Sequence, residues 1–267
     1  MNIVLSEAVE SLEQLCTTWG RIVLDCGTGF VKDEPGLAIR WADSQFPFWN
    51  CITITDQVYG IDLLRERFTK AVDFMRGQSR PGLIWFFEDL LTPDARAELS
   101  MAVEQAGLEC ALSGYGMAGD ILPIAQPLHP ELEFVRVTTD ELLLAYADIN
   151  ARAYAMPLEN VRDGLAGSPL WKSEMHTYLG LENGVPVSAA ATIENDGSLF
   201  LALVATNPDA QRKGYGEATV RKALYEGWKA TGLTRSVLHA TMAGAPVYER
   251  IGYRKVASMK FYGLKAQ

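Results

Sequence analysis

The residues with the clearest chemical potential are Gln211-Arg212-Lys213-Gly214-Tyr215-Gly216-Glu217. They follow an apolar run, Ser198–Thr206, and lead into a stretch whose apolar spacing (Val220, Leu224, Trp228) predicts a helix beginning near Gly214 and stopping at Gly232. The first N–H groups of a helix have no partner within it and lie at the positive end of its dipole, so such a start is an anion site. Gly214 and Gly216 carry no Cβ, which lets a bulky group approach the backbone. Arg212 and Lys213 add positive charge in a chain whose net charge is -9. The chemistry that fits is the grip of a pyrophosphate-like group at a strand-to-helix crossover. Taken alone, two glycines before a helix also fit a tight turn with a solvated basic face.

Further along stands Ala245-Pro246-Val247-Tyr248-Glu249-Arg250-Ile251-Gly252-Tyr253. Gln211, Gly214 and Gly216 match Gln/Arg-x-x-Gly-x-Gly/Ala, and Tyr248, Gly252 and Tyr253 match Tyr-x-x-x-Gly-Phe/Tyr. With the order of elements over about residues 132–267, this resembles the GNAT superfamily of N-acetyltransferases. The resemblance implies a mixed α/β fold of the acyl-CoA N-acyltransferase type, with acetyl-CoA as donor. It implies that the backbone of Val204, Ala205 and Thr206 pairs with the pantetheine arm, as an added strand does. The amides of Arg212, Lys213, Gly214, Tyr215, Gly216 and Glu217, with Gln211 leading, would hold the pyrophosphate. The backbone N–H of residue 205 or 206 is the expected oxyanion donor. Tyr248 is the expected acid at the leaving sulfur, the alternative being that it packs against the cofactor. No general base is identified: the apolar strand has no carboxylate, Glu194 sits beside a turn, and His176 and His239 fall on strands.

Two activities stay open. One is acetyl transfer to a primary amine of a small-molecule acceptor; the other is a non-catalytic acyl-CoA-binding or partner-binding protein that keeps the fold. A nucleotide-dependent oxidoreductase fits less well, because the third glycine and the downstream acidic residue are lacking.

The positioning elements of the C-terminal half read as follows. Phe134–Val137 is a strand, and Thr138 with Glu141 predicts a capped helix toward Tyr154. Residues 158–173 read as helix plus loop. Strands 176–182 and 187–193 flank Asn183-Gly184, a type I′ pair, and Asn195-Asp196-Gly197 turns into the buried strand 198–206. Ser236–Thr241 is a strand, Pro246 opens a short helix, and two strands, 253–257 and 258–264, close the chain.

In the N-terminal half, 6–18 reads as helix, 21–25 and 50–54 as strands, 61–76 as helix and Leu83–Phe87 as a buried strand. Thr92-Pro93 opens a helix that Gly107 ends, and a strand covers 108–113. This faintly echoes the end of the acetyltransferase fold and suggests a degenerate second copy without a cofactor; the alternative is an unrelated α/β cap. Trp41, Phe46, Phe48 and Trp49 read as a core seam or as an aromatic wall of an acceptor pocket. Met75, Met101 and Met117 read as core fillers.

A length of 267 residues suggests two domains, and 48% hydrophobic with 21% charged residues is ordinary for globular chains. Pro123, Pro127 and Pro130 place a linker in 117–131, giving domains 1–125 and 131–267. The negative charge argues against nucleic acid and membrane partners and mildly favours a cationic amine. Cys16, Cys26, Cys51 and Cys110 have no metal-type spacing and read as reduced, mostly buried thiols. With neither leader nor long apolar run, the expected location is cytoplasmic. Oligomer formation is left open.

Overall fold

The computed structural model describes residues 3–121 and 125–266, with only the backbone for 3–6. Pro123 of the expected linker lies outside the described residues. The chain forms two compact units. The first runs through Met117 and takes in Ala240–Ala245 and the chain from Lys255 on; the second comprises Ala118–His239 and Pro246–Arg254.

The first unit opens with α1 (Ile3–Asp25). Residues 21–25 are its last turns and not a strand. Leu12, Leu15, Trp19 and Ile22 recur at helical spacing and are all buried, and that stripe outweighs the local β preference of Ile22-Val23. Two strands absent from the sequence reading follow, β1 (Phe30–Glu34) and β2 (Leu37–Trp41). They are joined by Pro35-Gly36, where Gly36 holds φ +78°. Next come β3 (Asn50–Ile54), α2 (Ile61–Arg76) and β4 (Leu83–Phe87), and β3 and β4 pair in parallel across the α2 crossover. The helix expected after Thr92 is split into α3 (Pro93–Ala97) and α4 (Leu99–Gln105). Thr92 does not cap it; its hydroxyl donates to Val58 O at 3.2 Å instead. β5 (Leu108–Asp120) runs past the expected end at 113 and into the expected linker. Trp41, Phe46, Phe48 and Trp49 are all buried, with Trp19 edge-on to both Trp49 and Trp85 at 5.3 Å. They are a core seam. Met101, by contrast, is exposed and fills no core.

The second unit starts with β6 (Glu133–Arg136) and α5 (Asp140–Ala153). The cap falls one residue later than expected: Thr139 Oγ1 accepts from Leu142 N at 3.3 Å. After α6 (Leu158–Ala166) come β7 (His176–Glu182), β8 (Val185–Asn195) and β9 (Ser198–Thr206), an antiparallel meander continuing from β6. Its two turns have positive φ at Asn183 and Gly184 and at Asp196 and Gly197, as type I′ geometry demands. α7 (Tyr215–Thr231) then crosses to β10 (Arg235–Thr241), parallel to β9, and α8 (Ala245–Ile251) follows. The buried face of α7 is Tyr215, Ala218, Thr219, Val220, Ala223, Leu224 and Gly227, with Trp228 only half-buried. A Cβ on Gly227 would sit 2.9 Å from Thr192 Oγ1, so the glycine sets how closely α7 rides on β8.

The chain closes on a single strand, β11 (Arg254–Leu264), where two were expected. It ladders antiparallel to β4 through Met259↔Phe87 to Tyr262↔Ile84, which is why its residues group with the first unit. Among the described residues no helix is long and apolar enough to cross a membrane, and no His/Cys/Asp/Glu group could hold a metal. None of the four cysteines is in a disulfide; Cys16 and Cys51 are buried and Cys110 is exposed.

Candidate active site

The site assembles within the second unit from the end of β9, the start of α7, and α8. β9 and β10 pair from Leu199↔Ser236 to Leu201↔Leu238, while β9 runs on to Thr206. Ala202–Thr206 therefore lie past the last pair with β10. On its other side β9 pairs with β8, and there the register breaks: Ala205 faces Ala189 and Ala202 faces Ala191. Leu203 and Val204 thus stand against Ala190 alone, which is a β-bulge. Leu203 has φ +42°, a backbone state that costs a branched, buried side chain about 1–3 kcal/mol and must be held by its surroundings. Tyr146 Oη donates to Leu203 O at 2.8 Å and Ala202 O at 3.3 Å, and Tyr154 Oη donates to Val204 O at 3.2 Å.

The loop from Asn207 delivers the chain to α7 through two left-handed residues, Arg212 (φ +64°) and Gly214 (φ +84°). Gly214 is the N-cap and no side chain caps the helix, so the first amides of the helix are offered outward. Among the described residues, a Cβ on Gly214 would come no nearer than 3.7 Å to any side chain, that of His129. The space before the helix is open, and residues 211–214 are exposed. A groove of about 570 Å³ runs from Gly214 along Glu217 and Arg221, between His129 and Gly252.

Gly216 has a different reason from the expected one. Its missing Cβ would lie 2.7 Å from Thr206 Oγ1, so this glycine seats the helix against the end of β9. Tyr215 contributes backbone only, since its side chain is buried and its hydroxyl lies 2.8 Å from Glu131 and in contact with Glu182. Those contacts, Glu182 first, hold the Tyr215 phenol above its usual range. Lys213 Nζ sits 3.0 Å from Glu182 Oε1, so its charge is partly spent in the resting chain. Gln211 reaches only back to Thr206 O, at 3.5 Å. Glu217 would repel an anion, but Arg221 and Arg250 each lie 3.0 Å from it. Burial raises the Glu217 pKa, and those two guanidinium groups outweigh it and keep the carboxyl ionised and neutralised.

Tyr248 is buried, and its ring lies edge-on to Tyr253 at 6.0 Å. Burial, followed by the neighbouring phenols of Tyr154 and Tyr253, pushes its pKa well above the usual tyrosine value. It stays protonated at neutral pH, as a proton donor must. Tyr154, whose hydroxyl donates to Val204 O at the bulge, is thus also a neighbour of Tyr248. Glu194 is exposed on β8 just before the second turn, and the ring of the half-buried His239 lies tilted against Phe200 at 5.4 Å. Burial and Arg136 lower the pKa of His176 on the outer part of the meander. Tyr146, Tyr154 and the bulge had no signature in the sequence: SLFLALVAT reads as uniform strand, and a tyrosine on a helix reads as core.

The first unit repeats the strand–helix–strand crossover without its site. Gly60, the N-cap of α2, has φ +82°, matching Gly214. There, however, Val58 N donates to Leu90 O at 2.9 Å and Thr92 N to Val58 O at 3.1 Å, which closes the opening past β3 and β4. The loop and first turn carry the acidic Asp56 and Asp62, whereas the loop before α7 carries the basic Arg212 and Lys213, and Asp56 pairs with the buried Arg67 at 2.7 Å.

Residues 157–263 match the model of the acetyltransferase (GNAT) domain. No curated protein matches the sequence. Among solved structures, a GCN5-related N-acetyltransferase from Kribbella flavida superposes with TM-score 0.68 at 18% identity, over 100% of this chain and 97% of that one. One from Sphaerobacter thermophilus gives 0.59 at 14%, over 86% and 78%. A tandem GNAT protein from the clavulanic acid biosynthesis pathway gives 0.52 at 11%, over 80% and 74%. The chain has the fold of the GNAT acyltransferases, and its stretch 157–263 is similar to the GNAT domain.

Proposed function

We propose that the chain is a cytoplasmic acetyl-CoA-dependent N-acetyltransferase that acts on a primary amine of a small-molecule acceptor. The observation that carries the reading is the uncapped, open start of α7 directly after a β9 that outruns its partner β10. The residues present fit the cofactor: an N-cap glycine with free space before it, a carboxylate already neutralised by two arginines, and a groove continuing along the helix.

The amides of Tyr215, Gly216 and Glu217 would hold the diphosphate, with Arg212 and Lys213 at the rim. For Lys213 this means leaving Glu182. The backbone of Val204–Thr206 would pair with the pantetheine arm. When bound, acetyl-CoA supplies an acetyl group activated as a thioester. Amides beside the bulge stabilise the oxyanion, and Tyr248 holds the proton that the leaving sulfur needs. No carboxylate lies on β9, so removal of the amine proton is assigned to solvent. The net charge of -9 favours a cationic amine as acceptor.

That missing carboxylate is also what favours a second reading, a protein that binds acyl-CoA without turnover. Calorimetry with acetyl-CoA, followed by free-thiol release against a panel of primary amines, separates the two. Binding with thiol release supports the enzyme; binding with none across the panel favours the second; no binding removes both.

A further inference from the structure

We propose that Tyr146 and Tyr154 are positioning residues that hold the β9 bulge and so aim the backbone amide of Val204 at the thioester oxygen; this rests on the acetyl-CoA reading above. Three successive carbonyls at the β9 bulge, those of Ala202, Leu203 and Val204, accept from just two phenols. A peptide group is a rigid plane with its C=O and N–H on opposite edges. Anchoring Leu203 O therefore sets the direction of Val204 N–H, and anchoring Val204 O fixes the peptide plane on the other side of the same residue. The phenols fix the aim of this donor without touching the substrate.

The anchors are themselves held. Tyr146 lies on α5 with no exposed surface, its ring packed on Trp171 at 5.6 Å. Tyr154 is the C-cap residue of the same helix, whose last carbonyls fix its backbone. One rigid helix end thus grips the bulge at two points. The left-handed state of Leu203 is the strained conformation that such a grip is needed to hold. If the hydroxyls only satisfied buried carbonyls, removing one would lower stability and leave the aim of the amide unchanged.

The test uses the full chain and acetyl-CoA labelled with ¹³C at the acetyl carbonyl, whose resonance moves downfield when the oxygen accepts hydrogen bonds. Wild type, Tyr146→Phe and Tyr154→Phe are compared by this shift and by calorimetry with CoA, which has no acetyl carbonyl. In wild type the bound carbonyl is displaced from its free position. In each variant the displacement shrinks by about half or more, while CoA affinity stays within about threefold. An unchanged displacement in folded variants overturns the proposal and leaves the acetyl-CoA reading standing. Failure of wild type to bind acetyl-CoA overturns both. Should Tyr146→Phe fail to fold, the half-buried Tyr154 decides the matter alone.

Discussion

Replacing Gly214 by glutamate sets the site against its own electrostatics. The residue sits at φ +84° with His129 Nε2 3.7 Å from its Cβ position, so a Cβ there meets backbone strain and only ordinary contact. The strain costs about 1 kcal/mol of stability. The charge matters more. A carboxylate about 4 Å from a phosphate oxygen is repelled by about 4 kcal/mol at the effective dielectric of a protein surface. Solvent and salt around an exposed loop cut this to about 2 kcal/mol. The expected loss is thus about thirtyfold in CoA affinity. Gly214→Gln is the control, with the same bulk and the same backbone strain but no charge. Calorimetry with CoA at low and high salt reads the difference: Glu binds much more weakly than Gln at low salt, and the gap narrows as salt rises. Equal affinities for Glu, Gln and wild type would refute the placement of the diphosphate at this helix start.

Gly216→Ala should lower the thermal midpoint, because its Cβ meets Thr206 Oγ1 at 2.7 Å, at a cost of about 1–2 kcal/mol. Thr206→Ala in the same chain should restore most of the loss, as a thermal double-mutant cycle would show. Tyr248→Phe should reduce turnover more than CoA affinity. Because the Tyr248 pKa is raised, its proton is kept through neutral pH and lost only well above pH 10, so the wild-type rate should show no alkaline fall below about pH 9 from this group. CoA should bind with a stoichiometry of one per chain in calorimetry, because the crossover of the first unit is closed by Val58 and flanked by Asp56 and Asp62.

Elements with strong local codes were legible in the sequence. α2, β4 and β9 fall where periodicity and apolar runs put them, and Asn183-Gly184 turns as its residue types demand. The helix start at Gly214 was legible for the same reason: glycine, basic residues and an apolar stripe act within a few positions. What failed depended on distant partners. Ile22-Val23 looks like strand until the buried face of α1 claims it. β1 and β2 were missed because short strands with polar residues acquire meaning only beside β3. The division of β11 into two strands failed because Arg254–Leu264 has no breaker strong enough to interrupt its ladder on β4. Gly216 was assigned to ligand approach when its true neighbour, Thr206, lies ten residues back and next to it only in the folded chain. The bulge at Leu203 is the deepest case: nothing in an all-apolar strand announces a left-handed leucine, since the phenols that hold it come from α5.

The direct test of the account is a crystal structure of the chain with CoA. It should show diphosphate oxygens at hydrogen-bond distance from the amides of Tyr215–Glu217, with the pantetheine arm running alongside Val204–Thr206. Density for CoA elsewhere on the chain, with only solvent before Gly214, would contradict it.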